Sequence, residues 1–137
     1  YYLIRIEPFS TYNLKFQGGK FDLPSRLFHS ISETFNGVLT NTCDVKELIP
    51  EFYYSRDIFL NKQNLNFGIR DNNIKVNNVI LPPWCNNNVD KFITIMRKAL
   101  DSEYVSRHLH NWIDLIFGFK QTGKNAIDSH NLFHPYT

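Results

Sequence analysis

The chain has 137 residues and a net charge of +2, with 15 basic and 13 acidic residues scattered along it. This length suits one domain or part of one, and the unstriped charge argues against a nucleic-acid surface. Twelve Phe, seven Tyr and two Trp point to a core built on aromatic rings, and no apolar run approaches the ~20 residues that span a bilayer.

Residues 1–6 are mostly apolar and read as a buried extended segment. The N-terminal run lacks a basic stretch and a small-residue cleavage site, so it does not read as a signal peptide; with no initiator Met it reads as a cut inside a longer protein. The Glu7-Pro8 pair favours an extended residue before the proline, and residues 9–16 are expected to continue as extended chain to a turn at Gly18-Gly19. Residues 21–39 predict a helix with its entry. Asp22 is its candidate N-cap and Pro24 sits in the first turn, with Leu27, Phe28, Ile31, Phe35, Val38 and Leu39 on one face. Asp44-Val45-Lys46-Glu47 has the form of a capping box for a short helix that Pro50 would end. Phe52-Tyr53-Tyr54 reads as core. Residues 61–78 are polar, with isolated Leu65, Phe67, Ile69, Ile74 and Val76, and predict irregular chain pinned by those anchors. Residues 79–84 dock as an extended end.

Asn86, Asn87 and Asn88 offer N-caps for an amphipathic helix carrying Val89, Phe92, Ile95, Met96, Ala99 and Leu100. The organising stretch is 97–120. There Val105, Leu109, Trp112, Ile113 and Ile116 recur at i, i+4, i+7, i+8 and i+11, which places them on one helical face. Asp101 and Ser102 are candidate caps, Glu103 suits the first turn, and Gly118 suits a left-handed C-cap. Trp112 is assigned to the core. Residues 122–126 predict a loop or short turn, and 131–137 an extended end closing on Pro135. No internal repeat and no second domain are evident.

The candidate chemistry is thin. His108 and His110 diverge by about 200° on a helix, and His130 and His134 precede Pro135, which disfavours a helical chelate. No Cys pair has zinc-site spacing. Cys43 and Cys85 form no disulfide framework and read as free thiols of a reducing compartment. Neither sits in a strand–turn–helix elbow, and Gly18-Gly19 has no phosphate-loop Lys-Ser/Thr after it. The residues therefore predict no enzyme, no metal and no cofactor. A hydrolase using Cys43 or Cys85 is the least favoured reading. Asp114, between Ile113 and Leu115, needs a partner if it lies near the core; His110, Lys120 or a backbone N–H are the candidates. Lys15, Lys20 and Arg26, near Phe16 and Phe21, are the one cluster suited to an anionic membrane.

Several ordered strings resemble the BEACH domain of the beige and neurobeachin proteins. Residues 102–123, SEYVSRHLHNWIDLIFGFKQTG, look like the family signature, with His110, Trp112, Asp114, Phe117, Gly118, Lys120 and Gln121 at its offsets. Tyr2-Leu3-Ile4-Arg5 with Glu7-Pro8-Phe9 resembles its Y-L-I-R-x-E-P-F. Gly19, Phe21-Asp22, Arg26 and Phe28-His29-Ser30-Ile31 resemble the next block, and Asp44 to Tyr53 resembles D-V-K-E-L-I-P-E-F-[FY]. Leu81-Pro82 with Trp84 fits L-P-x-W, and Asn131 with Phe133-His134-Pro135 resembles the closing N-x-F-H-P. The resemblance covers the whole chain.

The resemblance implies a mainly α fold with long irregular and extended segments. It also implies that residues 1–137 are the C-terminal part of a domain about twice as long. Family members are large proteins of vesicle and membrane traffic, lysosome-related organelles, autophagy and receptor sorting. They carry a PH-like domain before the BEACH domain and a WD-repeat propeller after it, and no enzymatic activity is established for the module. The expected function is a non-catalytic scaffold, with Glu51, His110, Trp112, Asp114 and Lys120 as its frame or partner-binding residues. The expected partners are the adjacent PH-like domain, the N-terminal half of the BEACH domain and other trafficking proteins. The expected location is cytoplasmic, peripheral to vesicle or endolysosomal membranes. The alternative is a peripheral lipid-binding module.

Overall fold

The computed structural model describes residues 1–134, so Pro135 and the end of the expected closing segment lie outside the described residues. The described residues form five α-helices: α1 Phe9–Phe16, α2 Ile31–Thr40, α3 Val89–Leu100, α4 Glu103–Ile116 and α5 Gly123–Asp128. Short 3₁₀ turns and irregular chain link them. Among the described residues the only β pairings are isolated bridges, Ser30 with Ile80 and Ile69 with Lys75. The chain divides into two compact units, Tyr1–Arg97 and Lys98–Thr137.

The first unit is held by aromatic rings. Phe28, Phe52, Phe59 and Phe92 are buried together with Tyr2, Ile58, Val79, Leu81 and Cys85. Tyr2 meets Phe28 and Phe52 edge-on, each at 4.9 Å, and Phe52 meets Phe59 edge-on at 5.4 Å. Ring edges are positive and faces negative, so this T-shaped geometry adds about 0.5–1.5 kcal/mol per pair beyond area burial. A second cluster, Leu27, Phe67 and Val76, pins the irregular 61–78 stretch, as expected. Ile69 and Ile74 point to solvent instead.

Arg5 ties the segments together. It is 3% exposed and donates to the Phe28 carbonyl (2.8 and 2.6 Å) and the Asn77 carbonyl (2.6 Å). Its guanidinium lies 4.7 Å from the Phe67 ring centroid. Burial pushes its pKa down to about 10. The irregular chain is further joined by hydrogen bonds from Ile31 N–H to the Ile80 carbonyl, Ile80 N–H to the His29 carbonyl and Val79 N–H to the Phe59 carbonyl. These satisfy backbone groups that no sheet or helix covers. Gly68, at φ +85°, passes so close to Pro24 that a Cβ would sit 2.6 Å from its Cγ.

The structure corrects several local expectations. Residues 3–5 form a 3₁₀ turn rather than extended chain, and residues 9–16 are α1 rather than extended. Ser10 N–H bonds the Ile6 carbonyl and the Glu7 carboxylate accepts from Thr11 N–H, so the free groups of the first turn find partners. The helix expected at 21–39 starts only at Ile31. Ser30, not Asp22, is its N-cap and accepts from Glu33 N–H at 3.2 Å. Asp22 instead accepts from Leu23 N–H. No helix forms at 44–49, because the Asp44 carboxylate turns to Lys46, both backbone N–H and Nζ. Pro50 opens the next 3₁₀ turn, Pro50–Tyr53, rather than ending one. Only Phe52 of the aromatic triplet is core; Tyr54 is exposed. Asn88 does cap α3, accepting from Lys91 N–H at 3.0 Å.

In the second unit Ser102 caps α4 as expected, accepting from Val105 N–H. Of residues 122–126, expected as a loop or short turn, Thr122 is the extended N-cap and residues 123–126 belong to a further helix, α5. Among the described residues no helix is long and apolar enough to cross a membrane.

Candidate functional site

The expected frame residues fall in both units. In the first, Glu51 lies half-buried in the Pro50–Tyr53 turn and accepts from the Tyr54 hydroxyl at 3.3 Å. In the second, α4 presents His110, Trp112 and Asp114, and Lys120 follows in the 3₁₀ turn Phe119–Gln121.

Helical spacing gathers Leu109, Trp112, Ile113 and Ile116 on one side of α4, as periodicity predicts. They do not become core: their exposures are 48, 48, 46 and 52%, and Phe117 is 82% exposed. The core assignment of Trp112 is therefore corrected. Its ring is half covered because periodicity marks which side is apolar, not what covers it. His110 is exposed and Asp114 and Lys120 are half-buried. No hydrogen bond or ion pair joins Asp114 to His110 or Lys120 among the described residues.

The end of α4 is closed by close approach. Gly118 has φ −108° and ψ −160°, which is not left-handed. A Cβ there would lie 2.7 Å from the Asp114 Cα. Glycine is thus required by contact, not by dihedral angle. Asn131 then locks the unit. Its Nδ2 donates to the Leu115 carbonyl (2.7 Å) and the Lys120 carbonyl (2.9 Å), and its N–H to the Ala126 carbonyl (2.9 Å). The sequence pointed to Asn131 only as a motif letter; its role as a clamp depends on carbonyls 11 and 16 positions away. Lys120 Nζ lies 5.5 Å from the Phe119 ring centroid.

A polar cluster that the sequence reading missed lies in the first unit. His29 is 6% exposed, with Nδ1 2.7 Å from the Leu27 carbonyl and Nε2 2.9 Å from Glu33 Oε2. Arg70 reaches the same carboxylate with both terminal nitrogens, at 3.1 and 3.0 Å. Partial burial works against ionisation of Glu33, but hydrogen bonds and charge from His29 and Arg70 outweigh it and hold the carboxyl below its ordinary pKa. Ser30-x-x-Glu33 was a readable cap signal; the Arg70 contact, 37 positions away, was not.

The potential reactive groups are dispersed. Cys85 is buried, its thiol donating to the Pro82 carbonyl at 2.9 Å, and Cys43 is exposed. His108 donates from Nδ1 to the Tyr104 carbonyl. No group of three or more His, Cys, Asp or Glu among the described residues could hold a metal.

The structure is thus a strand-poor helical fold on an aromatic core, with an apolar helix face left half uncovered. The family model described as Beige/BEACH domain matches residues 1–137, and the chain belongs to that family. Three curated relatives from Arabidopsis thaliana are similar to it: it is 48% identical over 137 residues to BEACH domain-containing protein B. It is 52% identical over 139 residues to BEACH domain-containing protein A2, and 50% identical over 139 to Protein SPIRRIG. Each match covers 100% of this chain but only 4–5% of the relative.

Proposed function

We propose that this chain is the C-terminal part of a BEACH domain and serves as a non-catalytic interaction module of a large protein of vesicle and membrane traffic. The observation that carries the reading is the half-exposed row Leu109, Trp112, Ile113 and Ile116 on α4. Contiguous apolar surface of this kind marks interaction sites in soluble proteins. The proposed occupants are the remainder of the BEACH domain and a preceding PH-like domain of the same protein. Glu51, His110, Asp114 and Lys120 would serve as frame and rim polar contacts. Action at the cytoplasmic side of vesicle or endolysosomal membranes, in lysosomal, autophagic or receptor-sorting traffic, follows from the same family reading.

Titration calorimetry of this chain against the upstream segment of its own protein tests the reading. Saturable binding with a negative heat-capacity change is expected, weakened roughly tenfold or more by Trp112→Ala, the loss typical of a central aromatic anchor. Absence of binding by a folded chain would overturn it.

A second reading, peripheral membrane binding, is favoured by one feature. Phe16 is 88% exposed beside exposed Lys15 and Lys20. Arg26 adds less, because it lies 3.9 Å from Asp22. Flotation with anionic vesicles, abolished by removing the Lys15 and Lys20 charges, is the outcome this reading requires.

A further inference from the structure

A pocket of about 330 Å³ opens in the first unit between α2, α3 and the chain around Leu48. Its floor is the aromatic core itself. Tyr2, Phe28, Phe52 and Phe92 line it, and none of them is more than 7% exposed. Its rim is Phe35, Leu48 and Trp84, which are 65, 55 and 45% exposed. Trp84 is stacked on Phe92, with ring centroids 5.4 Å apart and an angle of 16° between the planes. The surface inside is almost wholly carbon. The Thr34 hydroxyl is turned away to the Ser30 carbonyl, to which it donates at 2.8 Å. Lys46 is the one charged side chain in the lining among the described residues, and it is paired with Asp44.

We propose that this pocket binds one hydrocarbon chain of an uncharged lipid. Its volume falls in the range of small-molecule sites, about 300–1,000 Å³. A sphere of that volume is about 9 Å across, narrower than the roughly 10–12 Å of a helix with its side chains, so a helix cannot enter whole. An extended peptide would bring N–H and C=O groups against a carbon wall and leave them unpaired, which is costly. An alkyl chain carries no such groups. Charge complementarity then selects the head. An anionic headgroup gains little from Lys46, because Asp44 already neutralises it, and a cationic headgroup meets Lys46 itself. A hydroxyl or an ester at the open mouth remains. The floor belongs to the packed core, so the site exists before the ligand arrives and little ordering cost opposes binding.

The test is a titration of the isotopically labelled chain with 1-octanol, followed by methyl and amide NMR shifts. Saturable shifts at Ile31, Val38, Leu48 and Met96 are expected, with Leu109, Ile113 and Ile116 unmoved. Each methylene removed from the alcohol should weaken binding about fourfold. Octanoate at neutral pH should bind roughly tenfold more weakly than octanol or worse, because its carboxylate gains no free cation. Leu48→Glu, which sets a charge on the exposed rim, and Val38→Trp, which fills the mouth, should each abolish the saturable shifts without altering the melting temperature. Equal shifts along α4 would mean general adsorption to exposed apolar side chains. Tighter binding of octanoate would mean that Lys46 is available to an anion. Displacement of octanol by the upstream segment of the parent protein would give the pocket to protein packing. Each of these outcomes overturns the proposal, as does the lack of saturable binding up to the solubility limit of octanol.

Discussion

A single buried cation shows how a residue acts in this fold. Arg5 has no carboxylate within its hydrogen-bonding shell; its partners are the carbonyls of Phe28 and Asn77. Arg5→Leu would leave those carbonyls unpaired, each costing about 1–3 kcal/mol. Chemical denaturation should show a total loss of roughly 3 kcal/mol. The Glu33 carboxyl makes a second, pH-dependent contribution. Its folded pKa lies below the ordinary value because His29 and Arg70 overcome the effect of partial burial. A depressed carboxylate pKa stabilises the fold above the unfolded pKa, and that stability is lost as pH falls through the folded pKa. The melting temperature should therefore drop on acidification below about pH 4.5, the region where carboxylates protonate. Glu33→Gln should flatten part of that drop and lower stability at neutral pH. The buried position of Arg5 was not legible in the string Leu3-Ile4-Arg5-Ile6, because only tertiary carbonyls make it tolerable.

Helix α4 and its closing turn carry the predictions at the scale of the element. Trp112 is half-exposed, whereas Phe92 on α3 is 1% exposed. Phe92→Ala should cost roughly 3–5 kcal/mol, the range for truncating a buried aromatic. Trp112→Ala in this chain should cost roughly 1–2 kcal/mol, in proportion to the area it buries. A Trp112 loss equal to that of Phe92 would return it to the core. Gly118→Ala should destabilise by about 1–3 kcal/mol through overpacking against Asp114. Since φ is −108°, a D-amino acid or asparagine should give no rescue, which separates close contact from a left-handed cap. Periodicity identified α3 and α4 correctly because amphipathic spacing and caps are local. It misassigned residues 9–16, where Phe9, Leu14 and Phe16 looked extended although Phe9, Tyr12 and Phe16 also share a helical face. It also preferred Asp44-x-x-Glu47 over Ser30-x-x-Glu33 as a capping box. Both strings have the pattern, and only the fold decides which carboxylate or hydroxyl meets a backbone N–H.

At the scale of the molecule, this chain matches 4–5% of the length of its curated relatives. Its own core lies in Tyr1–Arg97, while the large apolar side chains of α4 remain half uncovered. One partner surface is proposed on this basis, α4 for the remainder of the parent protein.

The sequence alone determined the family, the helical character, the aromatic composition of the core and the irregular 61–78 stretch. Each of these depends on residue identity, order or short-range spacing. Tertiary structure decided the rest. It selected Ser30 over Asp22 as a cap, placed Arg5 among carbonyls, brought Arg70 to Glu33 and made Asn131 a clamp. It also left Trp112 half in water. Those outcomes depend on contacts between groups far apart in the chain, and a hydrogen bond or a covered face exists only where both partners arrive.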